Sequence, residues 1–178
     1  MRIDPKFFNR FMIFCALITM VVIVYSTIRY TSTQQKEFKE NALATDFSSL
    51  TLPGFAGDDD LALSDFEGSP YIIHFWSTWS GMSIDMNHHL DMLYRQNPQI
   101  KIVGAVVRDG DAQIRDYRDE NPHPFYFVNG TDLFQELKTT GVPSQIFINS
   151  RGEAMDVQIG RDPEKVSELF RKLANSDQ

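Results

Sequence analysis

The sequence contains a single cysteine, Cys15, among its 178 residues. Because Cys15 lies in an apolar N-terminal run, the polar remainder of the chain has no thiol at all. This excludes an internal disulfide, a cysteine-ligated zinc site and a cysteine nucleophile. We interpret Cys15 as a small apolar residue of a membrane helix and not as a lipid-modified cysteine, because the bulky residues Met12, Ile13 and Phe14 precede it.

The chain also lacks a basic cluster outside its N-terminus. Arg2, Lys6, Arg10 and Arg29 against Asp4 give the first thirty residues a net charge of +3, which leaves −10 for the remainder of a chain of net charge −7. Proteins that bind nucleic acid carry a basic patch, so nucleic acid is excluded as a partner. The length suits one domain with additional segments.

Residues 11–28, from Phe11 to Ile28, form an uncharged run long enough to cross a bilayer as a helix. Basic residues precede the run, so the positive-inside rule places the N-terminus in the cytoplasm and the rest of the chain outside. A cleaved signal peptide would have a shorter apolar region and a small-x-small cleavage site. We therefore predict an uncleaved anchor within residues 1–30, a polar linker or loose helix over 31–45 and one folded domain over 46–178.

The folded domain begins with a strand–helix–strand pattern. Tyr71–Trp76 and residues 100–107 are apolar runs typical of strands covered on both faces. Between them, apolar residues recur at helical spacing until Asn97 and Pro98 end the helix. Such a unit predicts two parallel strands joined by a helix.

The rest of the domain predicts an α/β fold, a mixed sheet with helices on both faces. The expected elements are a helix over 111–119, a strand over 125–128, a short helix from a Thr131 cap to Lys138, a hairpin of strands 145–149 and 153–159, and a last helix capped by Asp162 with Pro163 at its first position.

The segment Trp79-Ser80-Gly81-Met82-Ser83 lies where the first of these helices begins. With cysteine at positions 80 and 83 it would be a thioredoxin-type redox motif. Disulfide exchange needs a thiolate that attacks sulfur. Ser80 and Ser83 cannot perform it.

Residues 46–174 resemble the TlpA/ResA group of membrane-anchored thioredoxin-like proteins, which includes the CcmG type of cytochrome c maturation. The resemblance implies a thioredoxin-like fold, thiol–disulfide oxidoreductase activity and a periplasmic domain anchored in the bacterial inner membrane. The matching segments are 46–50, the group's first strand; 61–68, its L-S-D-L-x-G hairpin; 75–79, its F-W-A-T-W; Gly141-Val142-Pro143, its G-x-P loop with a cis proline; and Arg151-Gly152, its late turn.

The chain departs from this group at four positions. Ser80 and Ser83 replace the redox cysteines, Met86 stands where the group commonly has a buried glutamate, and His88 replaces a helix-kinking proline. A buried carboxyl costs desolvation energy and serves no purpose without thiols, whereas methionine fills the space with apolar volume. These joint losses favour natural drift to a non-redox role over a deliberate pair of substitutions.

We therefore expect a redox-inactive protein that binds or scaffolds another envelope protein. In the group, the backbone before the proline pairs with an extended segment of the substrate, which implies a partner-binding surface at Trp79, Gly81, Met82, Val142 and Pro143. No catalytic residue and no cofactor are expected. The alternative is a thiol–disulfide oxidoreductase of the TlpA/ResA type in a serine-substituted form.

Four further interpretations concern single residues or small groups of residues. Ser80 is a poor candidate nucleophile, because His88 and His89 lie two turns along the same helix. A weaker alternative is copper handling, since Met82, Met86 and His89 recur near one helix face and suit Cu(I); we expect no metal. We interpret His74 as a hydrogen-bonded core histidine. The acidic run at residues 58–60 lacks an EF-hand pattern and is interpreted as a solvated turn.

Overall fold

The computed structural model describes residues 5–55 and 57–176, with side chains described from residue 9 onward. Arg2 and Asp4 of the predicted N-terminal charge pattern lie outside the described residues. The elements in chain order are α1 (Pro5–Ala44), β1 (Thr51–Leu52), β2 (Leu61–Ala62), β3 (Tyr71–Trp76), α2 (Gly81–Gln96), β4 (Lys101–Val106), α3 (Asp111–Glu120), β5 (Tyr126–Asn129), α4 (Thr131–Glu136), β6 (Ser144–Ile148), β7 (Ala154–Ile159) and α5 (Pro163–Asn175).

Five strands form the central sheet in the order β5-β4-β3-β6-β7. Strand β4 runs parallel to both β3 and β5, whereas β6 runs antiparallel to β3 and β7. The short strands β1 and β2 pair separately as an antiparallel ribbon. This mixed sheet confirms the predicted thioredoxin-like fold, including the parallel strand–helix–strand unit and the late hairpin.

Strand β3 divides the core into two halves because its successive side chains point to opposite faces of the sheet. Tyr71, Ile73 and Phe75 face the half formed with the end of α1, the β1–β2 ribbon and α4. Ile72 and Trp76 face the half formed with α2, α3 and α5. All six residues of β3 are buried, which explains why the sequence shows an unbroken apolar run there.

Two predicted helix boundaries are confirmed by hydrogen bonds. Helix α2 ends at Asn97 as expected. The Asp162 carboxylate accepts a hydrogen bond from the Lys165 backbone N–H, and Pro163 occupies the first helical position of α5. Such caps satisfy N–H groups that the first turn of a helix leaves without partners.

Two local predictions are wrong. Residues 46–50 do not form a strand; Phe47–Ser49 is a 3₁₀ turn, because the Asp46 carboxylate accepts hydrogen bonds from both the N–H and the hydroxyl of Ser48. Thr131 does not cap α4, which has Gly130 at its N-cap. The Thr131 hydroxyl instead accepts a hydrogen bond from the Arg108 N–H.

Residues 31–44, expected as a polar linker or loose helix, are helical, and α1 continues through them without interruption to Ala44. Phe38 and Ala42 near its end are fully buried in the core of the domain. The N-terminal part of α1 is long and apolar enough to cross a membrane, with an exposed surface.

Candidate functional site

The serine pair lies at the junction between β3 and α2. Ser80 is the N-cap of α2, and its hydroxyl accepts a hydrogen bond from the Ser83 N–H at 3.3 Å. The loop before Ser80 contacts the loop after β4, because the Thr78 N–H donates a hydrogen bond to the Asp109 carboxylate at 2.6 Å. Ser80 therefore has the role of a polar helix start, as the sequence indicated.

Neither serine has the surroundings of an activated nucleophile. Such a nucleophile needs a base within hydrogen-bond reach and a third group that orients the base. The Ser83 hydroxyl is buried without a hydrogen-bond partner in the part of the chain that the structure describes. His89 Nε2 lies 2.9 Å from the Ser167 hydroxyl, and the His88 ring packs against that of His123.

Met86 is fully buried in the core half beneath α2. It contacts apolar neighbours at the position where the TlpA/ResA group commonly has a buried carboxyl. The apolar surroundings of Met86 agree with the expectation that methionine fills this space with apolar volume.

A groove of about 350 Å³ lies beside the start of α2. Trp79 forms part of its wall and is 65% exposed, while the neighbouring Met82 is 53% exposed. The remaining lining residues come from the loop after β4, from α4 and from the loop before β6: Val107, Arg108, Phe134, Thr139, Thr140, Gly141 and Val142. The structure thus brings Trp79 and Val142 of the predicted surface together. Gly81 and Met82 adjoin them at the start of α2.

The backbone of Val142, in the loop before β6, is open for pairing. The Val142–Pro143 peptide bond is cis, as the resemblance implied. The Pro143 carbonyl accepts from the Gly160 N–H, and the Gly141 carbonyl accepts from the Ser144 hydroxyl. Among the described residues, no hydrogen bond joins the Val142 N–H or C=O to another group. An extended chain can add to such an edge through main-chain hydrogen bonds.

Three polar residues of the groove, Arg108, Thr139 and Thr140, were not identified from the sequence. Within the described residues, Arg108 is the only charged residue of the lining, is exposed, and makes no ion pair. It has a positive φ of 60°, which is uncommon for a residue other than glycine. The Thr139 hydroxyl is buried at the groove without a hydrogen-bond partner. A positive-φ arginine has no signature in a single sequence, so no pattern could have indicated it.

A buried polar chain lies under α2. His74 Nε2 is 2.9 Å from the Asn87 amide oxygen, and His74 Nδ1 is 3.0 Å from the Gln145 amide nitrogen. The Asn87 amide nitrogen donates to the Tyr117 hydroxyl, which lies 3.1 Å from His123 Nε2. This polar chain of hydrogen-bonded side chains therefore joins β3, α2, α3 and β6. His74 is the hydrogen-bonded core histidine that the sequence predicted.

Burial determines the protonation of this polar chain. Complete burial lowers the pKa of His74 from 6.5 to about 4, and the hydrogen bond with Asn87 opposes this shift only in part. Burial also lowers the pKa of His123 and raises the pKa of the Tyr117 hydroxyl. At neutral pH the polar chain is uncharged, which suits a structural role that fixes α2 on the sheet.

The proposed copper ligands lie in three different environments. Met82 is exposed, Met86 is fully buried, and His89 is hydrogen-bonded to Ser167. No group of three or more histidine, cysteine, aspartate or glutamate side chains among the described residues could hold a metal ion. This arrangement does not favour a shared copper site.

No protein-family model matches the sequence, and no curated protein matches it. The fold is similar to that of many solved structures. The structure of MTB DsbF superimposes with a TM-score of 0.63 at 18% identity, covering 72% of this chain and 98% of that one. A putative thiol:disulfide interchange protein DsbE from Chlorobium tepidum gives 0.64 at 16% identity, with coverage of 74% and 94%.

StoA from Bacillus subtilis gives a TM-score of 0.56 at 20% identity, covering 69% of this chain and 98% of that one. Identities this low establish architecture and leave activity open. The chain has one cysteine, so it lacks the paired cysteines of a thioredoxin-type redox site. It has a thioredoxin-like fold of the DsbE and StoA kind, preceded by a long apolar helix.

Proposed function

We propose that this protein is a single-pass envelope protein of a bacterium that binds an extended segment of another envelope protein and performs no dithiol–disulfide exchange. The anchor is residues 11–28 in the inner membrane, and the thioredoxin-like domain lies on the periplasmic side. Arg10 before the apolar run supports this orientation.

The observation that carries the proposal is the state of the groove. The unpaired backbone of Val142 and the exposed ring of Trp79 remain available for contact. They lie beside the start of α2, where serines occupy both positions of the redox cysteines, 80 and 83. Binding by strand addition needs backbone groups and side-chain contacts and no thiol. The alternative of a serine-substituted oxidoreductase would use the same groove, so the proposals differ in chemistry and not in surface.

Site-specific photocrosslinking in native membranes tests the proposal. A photoreactive residue replaces Met82 in the full chain, and matched variants carry the same residue at Met155 or Met92, which are also exposed methionines. We expect position 82 to capture one protein through a short extended segment, identified by mass spectrometry of the linked peptides, with little capture at positions 155 and 92. Equal capture at all three positions would contradict the proposal.

An insulin-reduction assay on the same full-length chain tests the chemical half of the proposal. We expect activity no higher than that of the reductant alone. Activity above this level would favour the oxidoreductase alternative.

A further inference from the structure

The last three turns of α1 pack directly on the thioredoxin-like domain. In these turns the residues that are at least partly buried recur at the spacing of one helix face. Phe38 and Ala42 are fully buried in the core, and the Asn41 amide donates to the Leu137 carbonyl at 3.3 Å. The buried and half-buried members of this face are Gln34, Glu37, Phe38, Asn41 and Ala42.

The contacts of α1 define its direction along the domain. Just after α1 ends, Ser48 packs against Gly152 in the turn that precedes β7. Further back along α1, the Lys39 ammonium lies 2.7 Å from the Asp156 carboxylate in the middle of β7. Helix α1 therefore runs antiparallel to β7.

Strand β7 ends at the groove. Its last residue, Ile159, pairs with Ser144, and the next residue, Gly160, donates its N–H to the Pro143 carbonyl at 2.8 Å. An ion pair between Glu37 and Lys138 joins α1 to the residue before the groove loop. Since α1 and β7 are antiparallel, the membrane-side part of α1 leaves the domain at its groove end.

Helix α1 is continuous between the domain and the apolar run. Sharp kinks in helices arise mainly at proline or glycine, and neither residue occurs between Lys6 and Ala44. From Ile28 to Lys39 the helix rises about 16 Å at 1.5 Å per residue. From Asp156 to Gly160 the strand returns about 13 Å toward the membrane at 3.3 Å per residue.

The rise of α1 away from the membrane and the return of β7 toward it nearly cancel. We infer that the groove faces the bilayer, within roughly 10 Å of its surface. Its occupant is an extended, carboxylate-bearing segment of an integral membrane protein at the point where that segment leaves the membrane. This inference rests on the proposed function, and it specifies the class of partner. Helix α1 acts as a rigid support that holds the domain in this orientation.

The chemistry of the groove favours a polypeptide over lipid. The Val142 backbone offers hydrogen-bonding groups that an extended chain satisfies and acyl tails do not. Arg108 is the only charged residue lining the groove in the described part of the chain, and the domain around it has a strongly negative net charge. A carboxylate on the bound segment complements that charge.

The orientation is tested without any partner, in the full chain with Cys15→Ser reconstituted in phosphatidylcholine–phosphatidylglycerol nanodiscs. A fluorophore is attached at Met82→Cys beside the groove or at Arg151→Cys at the opposite end of the sheet. Lipids that carry a headgroup quencher report proximity to the bilayer. We expect the label at position 82 to be quenched several-fold more strongly than that at position 151. Equal or reversed quenching overturns the inferred orientation.

A helix-breaking variant tests whether α1 is responsible. Ser32 is exposed on α1 between the apolar run and the packed turns. Ser32→Pro should bring the quenching at the two labels toward the same value, whereas Ser32→Ala should leave the difference intact. A difference that survives Ser32→Pro, with a circular dichroism spectrum of a folded domain, overturns the role of α1.

The partner class has its own readout, which separates its failure from that of the proposed function. In native membranes, the photoreactive residue at position 82 should link to a peptide within about ten residues of a membrane span. Ten residues of extended chain are about 33 Å long. Capture of a soluble envelope protein overturns this inference and leaves the binding function standing. Adducts with lipid alone contradict both.

Discussion

The Lys39 ammonium lies 2.7 Å from the Asp156 carboxylate and joins the membrane-side helix to the middle of β7. Both side chains are partly exposed, and ion pairs of this kind contribute at most about 1 kcal/mol to stability. The fully buried Phe38, one residue earlier, accounts for far more of the attachment, because its removal leaves a cavity between α1 and the sheet.

We therefore expect Phe38→Ala to lower the free energy of unfolding by about 3–5 kcal/mol. Leu43→Ala provides a matched control on the same helix, since Leu43 is exposed and its truncation should change stability by less than about 0.5 kcal/mol. Urea unfolding of the full chain in detergent, followed by tryptophan fluorescence, measures both variants. Similar effects of the two substitutions would show that α1 does not pack on the domain.

The buried His74 predicts a loss of stability in mild acid. Its pKa falls from 6.5 to about 4 on folding, chiefly because of burial. The unfolded chain therefore binds a proton at this position below pH 6.5 that the folded chain does not bind until about pH 4. Across this interval the free energy of unfolding should decrease as pH falls, by about 3 kcal/mol from this residue.

His74→Gln keeps a hydrogen-bonding side chain at the same place and removes the titration. We expect this variant to be less stable at neutral pH and to show a shallower dependence on pH between 6.5 and 4. His89 and His123, whose pKa values burial also lowers, contribute in the same direction to both proteins. Chemical unfolding at several pH values measures the two slopes, and identical slopes would contradict the assignment to His74.

The core strands and helices could be predicted because their buried residues recur in the sequence at the spacing of a strand or a helix. Tyr71–Trp76 is covered on both faces and is therefore uniformly apolar apart from His74. The packed end of α1 gave no such signal. Of its five buried or half-buried positions only Phe38 and Ala42 are apolar, and Gln34, Glu37 and Asn41 resemble a solvated helix in sequence.

The groove could be predicted only in part. The motif around Trp79 and the loop around Pro143 are continuous in sequence, so the resemblance identified both. Arg108 and Thr139 reach the groove from separate loops, 31 positions apart. Their proximity depends on how α4 and the loop after it lie against the loop after β4, which no local pattern in the sequence specifies.

Restoring sulfur at the two serines should restore disulfide formation. The Ser80 side chain is directed at the Ser83 N–H, in the first turn of α2. In the background of Cys15→Ser, the double variant Ser80→Cys/Ser83→Cys should lose two hydrogens on mild oxidation. It should also reduce insulin, since a helix N-terminus lowers the pKa of a cysteine thiol there.

Ser80→Cys alone is the control and should form no internal disulfide. Intact-protein mass spectrometry before and after reduction distinguishes the two forms. If the double variant remained a dithiol under oxidation, the serine pair would not have the geometry of a redox motif, and drift from a thiol ancestor would lose its structural support.

Arg108 should determine which segment the groove accepts. A charge-assisted hydrogen bond to a carboxylate contributes about 1.5–3 kcal/mol. Its loss in Arg108→Gln should reduce the yield of the crosslink from position 82 about tenfold or more at limiting partner concentration. Arg115→Gln, on the exposed surface of α3, should leave the yield unchanged because it lies outside the groove.

Raising the salt concentration should weaken capture by the natural chain more than capture by Arg108→Gln. Equal yields and equal salt dependence in the three proteins would show that the bound segment carries no carboxylate at this point.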